Sequence, residues 1–543
     1  MASRVNRFSR RKIKVKVLSV LMGLTAFCRV ASAESVYVDA PPYNAVGNGL
    51  ADDSLAIQNA LNAAQVAGSI QGGRVYFSTG KTYRVTRSIV MPPFTSLVGT
   101  YTFSTATEMN WTSNIAPKIC LSANSTLEMW GGCALRGLII HREGLSGTVS
   151  NSDDFAGTAI TMYRGDTTVE NCAILGFNQG MYADPSDGIS KQRVRLYQLN
   201  IDCNNGIKLL ISKDISKLND IHCYPYLTNH GDYADYRSGT AFWIGQDVAW
   251  VWLTDCYAYA YDAGYVLDGR QAPVNSATLY NCAAEAPVIN GSPISRYGFR
   301  NLGTNEAAKL YHCSAKGFQV GVESQVSSGR TMLLYDTTIG NCQTGVVAGS
   351  GNLLIDRCTF RGLTAGSVGI LLSHPSSRVV VNESLFEQMG SGINNADYNQ
   401  LITTNNMYSC VTGTFGLDGN IDLDRDGLPD SWELKFGLNS GDAADRNSDK
   451  DGDGQTNWQE YLAGTNPSNP ASFFSIGLNT GSPRSVLWTG GSNRTYRVLR
   501  SVDLVSWSTA ARNIQPDSSQ GEWRFPVQTD RRSQFFKVEA EMQ

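Results

Sequence analysis

Among the twelve cysteines of this 543-residue chain there is no Cys-x-x-Cys pair, which excludes the common zinc and dithiol-redox spacings. Charge is also sparse. Only 17% of residues are charged and the formal net charge is −3, so a nucleic-acid partner, which needs a basic face, is excluded. Beyond Phe27 no apolar run is long enough to span a bilayer. The basic residues cluster once, at Arg4, Arg7, Arg10, Arg11, Lys12, Lys14 and Lys16, followed by an apolar run over 17–27 and then Ala31-Ser32-Ala33. That order predicts a signal peptide over 1–33, too short for an anchor, and an exported, soluble protein that is secreted or held at the cell surface.

What the chain does have is a repeat. Glu170-Asn171-Cys172-Ala173-Ile174-Leu175-Gly176-Phe177 returns as Tyr311-His312-Cys313-Ser314-Ala315-Lys316-Gly317-Phe318. Between them lie His222-Cys223-Tyr224, Asp255-Cys256-Tyr257 and Asn281-Cys282-Ala283. Copies fall roughly 24 to 33 residues apart, the period of a coil, and small or apolar residues alternate with polar ones as in half-buried strands. The expected fold is all-β, a parallel β-solenoid with one short strand above the next. Later rungs are expected over 333–347, 353–372, 379–393 and 401–412. Export permits disulfides, and removing Cys28 leaves eleven cysteines. The repeat nevertheless puts five in one internal column, where Cys packs as a small hydrophobe.

Taking each motif Cys as an inward slot, the expected inner column is Cys172, Cys223, Cys256, Cys282 and Cys313, with Gln198 in the odd rung. The residues one before, one after and three after then point outward. The first column reads Asn171, Tyr197, His222, Asp255, Asn281, His312. The second reads Ala173, Leu199, Tyr224, Tyr257, Ala283, Ser314, and the third Leu175, Ile201, Tyr226, Tyr259, Glu285, Lys316. Rungs lie about 4.8 Å apart. This register therefore sets His222 beside Asp255, pairs the tyrosines, and puts Glu285 between Tyr259 and Lys316. Two rungs carry extra residues: one insertion contains Asp232, Asp235 and Arg237, the other Arg296, Tyr297 and Arg300. Insertions in a solenoid gather on one face, often the binding face.

The N-terminal stretch reads Gly47-Asn48-Gly49-Leu50-Ala51-Asp52-Asp53-Ser54-Leu55-Ala56-Ile57-Gln58-Asn59-Ala60-Leu61, then Gly72-Gly73-Arg74-Val75-Tyr76-Phe77. Asp53 or Ser54 is expected to cap a short helix with Leu55, Ala56, Ile57, Ala60 and Leu61 on its apolar face, a lid over the open end of the coil. This segment resembles the start of the pectate-lyase-like superfamily, which includes polygalacturonase-related, rhamnogalacturonase-like and epimerase-like proteins and phage tailspikes. The resemblance, over 37–409, implies a right-handed parallel β-helix. It implies no single reaction, because the fold hosts hydrolases, lyases, transferases and adhesins. The polygalacturonase hallmarks Asn-Thr-Asp, Asp-Asp, Gly-His-Gly and Arg-Ile-Lys are absent from the central rungs, so those enzymes' catalytic residues are not carried across.

Calcium-loop spacing appears twice. Asp422, Asp424, Asp426, Leu428 (through its carbonyl), Asp430 and Glu433 form one set, with Gly427 at the turn. Asp449, Asp451, Asp453, Gln455 (through its carbonyl), Asn457 and Glu460 form the other, with Gly454. Six or more oxygens closed by a bidentate Glu suit calcium, and the tandem resembles bacterial thrombospondin type 3 repeats. After it, apolar–polar alternation predicts a small antiparallel β module in which Trp488, Trp507 and Trp523 are expected in the core, with stacking on sugars as the alternative. The expected division is a signal peptide at 1–33, the β-helix at 34–415, the calcium repeats at 416–472 and the β module at 473–543.

Function is expected from the outward columns. Tyr224, Tyr226, Tyr257 and Tyr259 offer flat faces for sugar rings, with Arg237, Arg296 and Arg300 as further substrate contacts. Glu285 and Asp255, with His222, Asp235 and Lys316, are the candidate catalytic groups. Glycoside hydrolysis needs two carboxylates, and a loop carboxylate folding over Glu285 is the workable pair. Lysis of a uronate needs a base, from Tyr259, His222 or Lys316, and neutralising cations. The favoured reading is a secreted polysaccharide hydrolase with structural calcium. A lyase and a non-catalytic glycan-binding or adhesive protein are the alternatives.

Overall fold

The structure, a computed structural model, describes residues 35–65, 72–104, 110–145, 155–183, 186, 188–189, 191–227, 236–364, 366–374, 376–394, 401–409, 424, 426–439, 442–481, 483–491, 494–516, 520–525 and 534–541. The proposed signal peptide, Asp232, Asp235 and Asp422 lie outside these residues. So do the side chain of Asp430 and the start of the calcium segment.

A parallel β-helix occupies most of the chain. Its strands form one 25-stranded and one 12-stranded parallel sheet. A representative coil runs along Val248–Thr254, bends at Asp255, continues through Tyr257–Tyr259, bends at Ala260 and returns along Tyr261–Gly269. The bends are single residues with positive φ, Asp255 at 54° and Ala260 at 62°. The first bend recurs rung after rung at Asn171, Gln198, Asp220, Asp255, Asn281, His312 and Asp336. Asn, Asp and His tolerate the left-handed region better than most residues, which explains the polar residue ahead of each motif.

Three outward faces result. The broad face carries strands such as Ile215–Cys223 before its bend, Val248–Thr254 and Val274–Tyr280. The short face carries Tyr257–Tyr259 and Ala283–Glu285. The closing face carries Arg237–Gly245, Tyr261–Gly269 and Tyr297–Gly303. The interior is filled by apolar ladders, including Phe242, Tyr265 and Phe299 stacked 4.7 Å apart.

The inner column differs from expectation in two rungs. Strand pairing aligns Cys172 with Leu199 and Leu199 with Ile221, and His222 with Tyr257, so Ile221 rather than Cys223 precedes Cys256 in the column. Cys223 aligns with Ala258, and Leu199 rather than Gln198 fills the odd rung. In the Cys223 rung both slots face inward and Cys fits either, so a slip of two residues keeps every side chain on its proper side while moving its neighbours; in the Gln198 rung the slip is one residue, and Leu199 and Ile201, expected outward, are buried in the core. All ten described cysteines are free and buried. Burial pushes the Cys172 thiol up to about 12, as expected of inert packing thiols.

A helix over Ser54–Ala64 covers the first coils with Ile57, Ala60, Leu61 and Ala64 buried, while Leu55 stays 66% exposed. Asp53 does not cap it through its side chain; its carboxylate accepts the backbone N–H groups of Val46 and Gly47 instead. Among the described residues no helix is long and apolar enough to cross a membrane. The last residues form two three-stranded antiparallel sheets. Trp488 is buried and Trp523 packs on the same core, whereas Trp507 remains exposed.

Candidate active site

The two-residue slip rebuilds the outward columns. Next to the bend the short face now reads Asn200, His222, Tyr257, Ala283, Ser314. Two residues further it reads Asp202, Tyr224, Tyr259, Glu285, Lys316, by the same pairings continued along each strand. His222 therefore lies against Tyr257, with ring centroids 5.7 Å apart, and not against Asp255. Asp255 is a bend residue whose carboxylate accepts the Asn281 amide at 2.6 Å.

The tyrosines form a platform. Tyr224 stacks on Tyr259 at 5.1 Å and 24°, and Tyr257 lies 6.4 Å from both. At its edge the Tyr257 hydroxyl donates to Glu285 Oε2 at 3.2 Å. Burial and the neighbouring Glu285 raise the Tyr257 pKa well above its ordinary value, so this phenol stays a donor. Burial holds the His222 pKa below its ordinary value, opposed by Asp220, and Phe103 packs edge-on against its ring at 5.3 Å. A neutral imidazole beside a protonated phenol and a carboxylate can move or hold a proton near a bound ligand.

Other expected site residues have different places. Tyr226 falls beyond the strand and is buried with Tyr101, Trp111 and Phe155, its hydroxyl accepting the Asn200 amide at 2.6 Å; it is not part of the exposed platform. Arg237 is wholly buried and pairs with the equally buried Asp202 at 2.8 Å, so it anchors the first insertion rather than meeting substrate. Arg296 is gripped by Asp262 at 2.5 Å. Arg300 is tied to Glu323 and lies 3.8 Å over the Tyr297 ring. Lys316 is exposed and forms no ion pair with Glu285, although the two align across adjacent strands.

The closing face contributes groups that the sequence reading missed. Asp262, only 6% exposed, accepts from Tyr236 at 3.0 Å and from Arg296. Burial and Asp262 push the Tyr236 hydroxyl up to about 12. Asp262 follows the second bend by two residues, and that bend is bonded to the Glu285 rung through Ala260 N–H to Glu285 O at 2.9 Å. The described ends of the first insertion, 224–227 and 236, and the second insertion, 286–296, lie between the strands of these two faces. Asp262 gives no site signal in the sequence, because it stands in a mostly apolar strand that is buried nearly throughout.

In the carboxy-terminal loops the remaining acidic groups converge. Ligand oxygens of Asp424, Asp426 and Glu433 lie within 4.8 Å of one another, as do those of Asp449, Asp451 and Asp453. Glu433 and Glu460 are wholly buried. Both Glu460 oxygens and Asn457 Oδ1 lack a hydrogen-bond partner. Burial, reinforced by Asp451 and Asp453, raises Glu460 to about 7.

A coil with three outward faces and single-residue bends is a parallel β-helix. Residues 37–110 match the family described as rhamnogalacturonase A/epimerase, pectate lyase-like. Solved structures similar to the chain include the A-module of mannuronan C-5 epimerase AlgE6 from Azotobacter vinelandii, at 14% identity over 71% of this chain and 96% of that one, TM-score 0.34. The surface adhesin PfbA of Streptococcus pneumoniae is 14% identical over 69% and 90%, TM-score 0.36. A family 28 exopolygalacturonase of Yersinia enterocolitica is 13% identical over 70% and 78%, TM-score 0.30. Likeness at this level says nothing of chemistry. No curated protein matches the chain.

Proposed function

We propose that this protein is an exported enzyme that cleaves an extracellular polysaccharide by hydrolysis at the corner between the short and closing faces. The observation that carries this is the Tyr224–Tyr257–Tyr259 platform ending on the Tyr257–Glu285 hydrogen bond. Flat phenols seat sugar rings, and a carboxylate held by a phenol sits where an acid or base would act. Hydrolysis is favoured over β-elimination because the three arginines expected to neutralise a uronate are already engaged, with Asp202, Asp262 and Glu323. The second carboxylate is assigned to Asp262 or to Asp235 on the insertion. Reducing-end release from a polysaccharide panel tests the reading; an unsaturated product absorbing in the ultraviolet would replace hydrolysis with elimination, and no release from any substrate would reject it.

The carboxy-terminal loops are proposed to bind calcium. In the second loop the buried Glu460 carboxylate, which has no hydrogen-bond donor, is costly unless a cation is present, and in both loops the oxygen-only donor set suits a hard cation. In the first loop Asp424, Asp426 and Glu433 would hold it, with Asp422, Asp430 and the Leu428 carbonyl from the motif. In the second loop the holders would be Asp449, Asp451, Asp453, Asn457, Glu460 and the Gln455 carbonyl. Calcium would supply structural order there and no step of the reaction.

A further inference from the structure

The broad face carries aromatic rings that the active site does not use. Trp250 and Trp252, two residues apart on Val248–Thr254, are 52% and 44% exposed, and Tyr280 on the next rung is 48% exposed. Because Trp250 and Trp252 precede the Asp255 bend and Tyr280 the Asn281 bend, they face a different direction from the tyrosine platform. Large aromatic side chains left in water on a regular strand forgo the stabilisation that burial would give, so a strip of them marks a contact surface. The alternating positions set the two indoles about 6.6 Å apart along the strand.

The column through Trp252 is basic. Strand pairing aligns Arg195, Lys217, Trp252, Thr278 and Lys309. The Lys217 ammonium lies 5.2 Å over the Trp252 ring. Among the described residues, no carboxylate pairs with Arg195, Lys217 or Lys309, whereas the acids nearby are engaged: Glu170 with Arg136, Asp247 with Lys213, Glu306 with Arg330. Asp220 and Asp255 border this strip at the bend. With rungs about 4.8 Å apart, Lys217 and Lys309 stand about 14 Å from each other along the coil axis with the indole between them.

We propose that the broad face is a second glycan-binding surface, which holds a carboxylate-bearing polysaccharide along the Arg195–Lys309 column with its rings against Trp250 and Trp252. Aromatic faces select sugars, and unpaired cations at rung spacing select an acidic strand over a neutral one. The surface does not depend on cleavage at Glu285, so its test reads binding alone.

The test is affinity electrophoresis of the full chain through gels containing polygalacturonate or alginate, beside neutral dextran, with duplex DNA titrated separately. The expected result is retardation by at least one acidic glycan and none by dextran. Trp250→Ala/Trp252→Ala should weaken that binding tenfold or more, and Trp252→Phe should restore part of it. Lys217→Ala/Lys309→Ala should weaken binding several-fold and flatten its salt dependence. Each variant is checked for native melting, and the exposed Trp252→Phe keeps the test valid if the double alanine chain fails to fold. Unchanged retardation of the tryptophan variants, equal retardation by dextran, equal binding of DNA, or no binding to either acidic glycan would each overturn the proposal.

Discussion

Arg237→Met isolates the carboxylate of Asp202. In the native chain both side chains are wholly buried. The carboxylate accepts from Arg237 Nε at 2.8 Å and from the Leu227 N–H at 2.7 Å, while the guanidinium lies 5.2 Å over the Phe155 ring. Removing one member of a buried pair leaves the other charge without compensation, a cost of about 3–5 kcal/mol. Asp202→Leu alone should cost a similar amount. The double variant Asp202→Leu/Arg237→Met removes both charges and should recover most of the loss, short of about 1–3 kcal/mol for the orphaned Leu227 N–H. Because a solenoid opens in local units, native-state hydrogen exchange at Leu227 and Arg237 is the assay, with thermal melting alongside. An Arg237→Met penalty below about 1 kcal/mol, the scale of an exposed ion pair, would refute the claim that this pair anchors the insertion.

Four further outcomes follow from the same geometry. Glu285→Gln should lower turnover on the identified substrate by about 10²–10⁴-fold, and Tyr257→Phe by about tenfold through its lost hydrogen bond, both read by reducing-end release. His141, buried against Trp111 with Nε2 unpartnered, has its pKa pushed down to about 4 by burial. The unfolded chain therefore binds that proton first, and stability should fall as pH drops from about 6.5 towards about 4, by about 3 kcal/mol; His141→Phe should flatten the melting-versus-pH curve in that window. Calcium at a hundredfold its dissociation constant should raise the carboxy-terminal transition by about 2.7 kcal/mol, and chelation should lower it while leaving the coil's transition in place, seen by calorimetry. The buried thiols should react with an aromatic disulfide reagent only after denaturation, as absorbance at the thiolate product's wavelength would show.

The fold was legible because its signals repeat. Asn171, Asp255, Asn281 and His312 each stand at a left-handed bend, and the inward Cys256, Cys282 and Cys313 follow them in step. The Ile215–Cys223 rung misled because its inward slot holds Ile221, while Cys223 sits two places on; alternation along a strand fixes the side a residue faces but not its rung neighbour. That slip alone produced the His222–Asp255 pair and put Tyr226 on the surface. The fates of Arg237, Arg296 and Arg300 were illegible for another reason. Their partners Asp202, Asp262 and Glu323 lie 23 to 35 residues away, and a charged residue in an insertion looks the same whether it reaches solvent or a buried carboxylate. Tyr257, Tyr259 and Glu285 kept their expected places because they belong to rungs in register.

Engineered cysteine pairs examine that register without reference to any substrate. Adjacent parallel strands bring aligned Cα atoms within disulfide range. His222→Cys with Tyr257→Cys should therefore cross-link on mild oxidation, read by mass spectrometry of the peptides, and His222→Cys with Asp255→Cys should not. Linkage of the second pair and not the first would pull the imidazole away from the phenol and dismantle the corner on which the proposed cleavage rests.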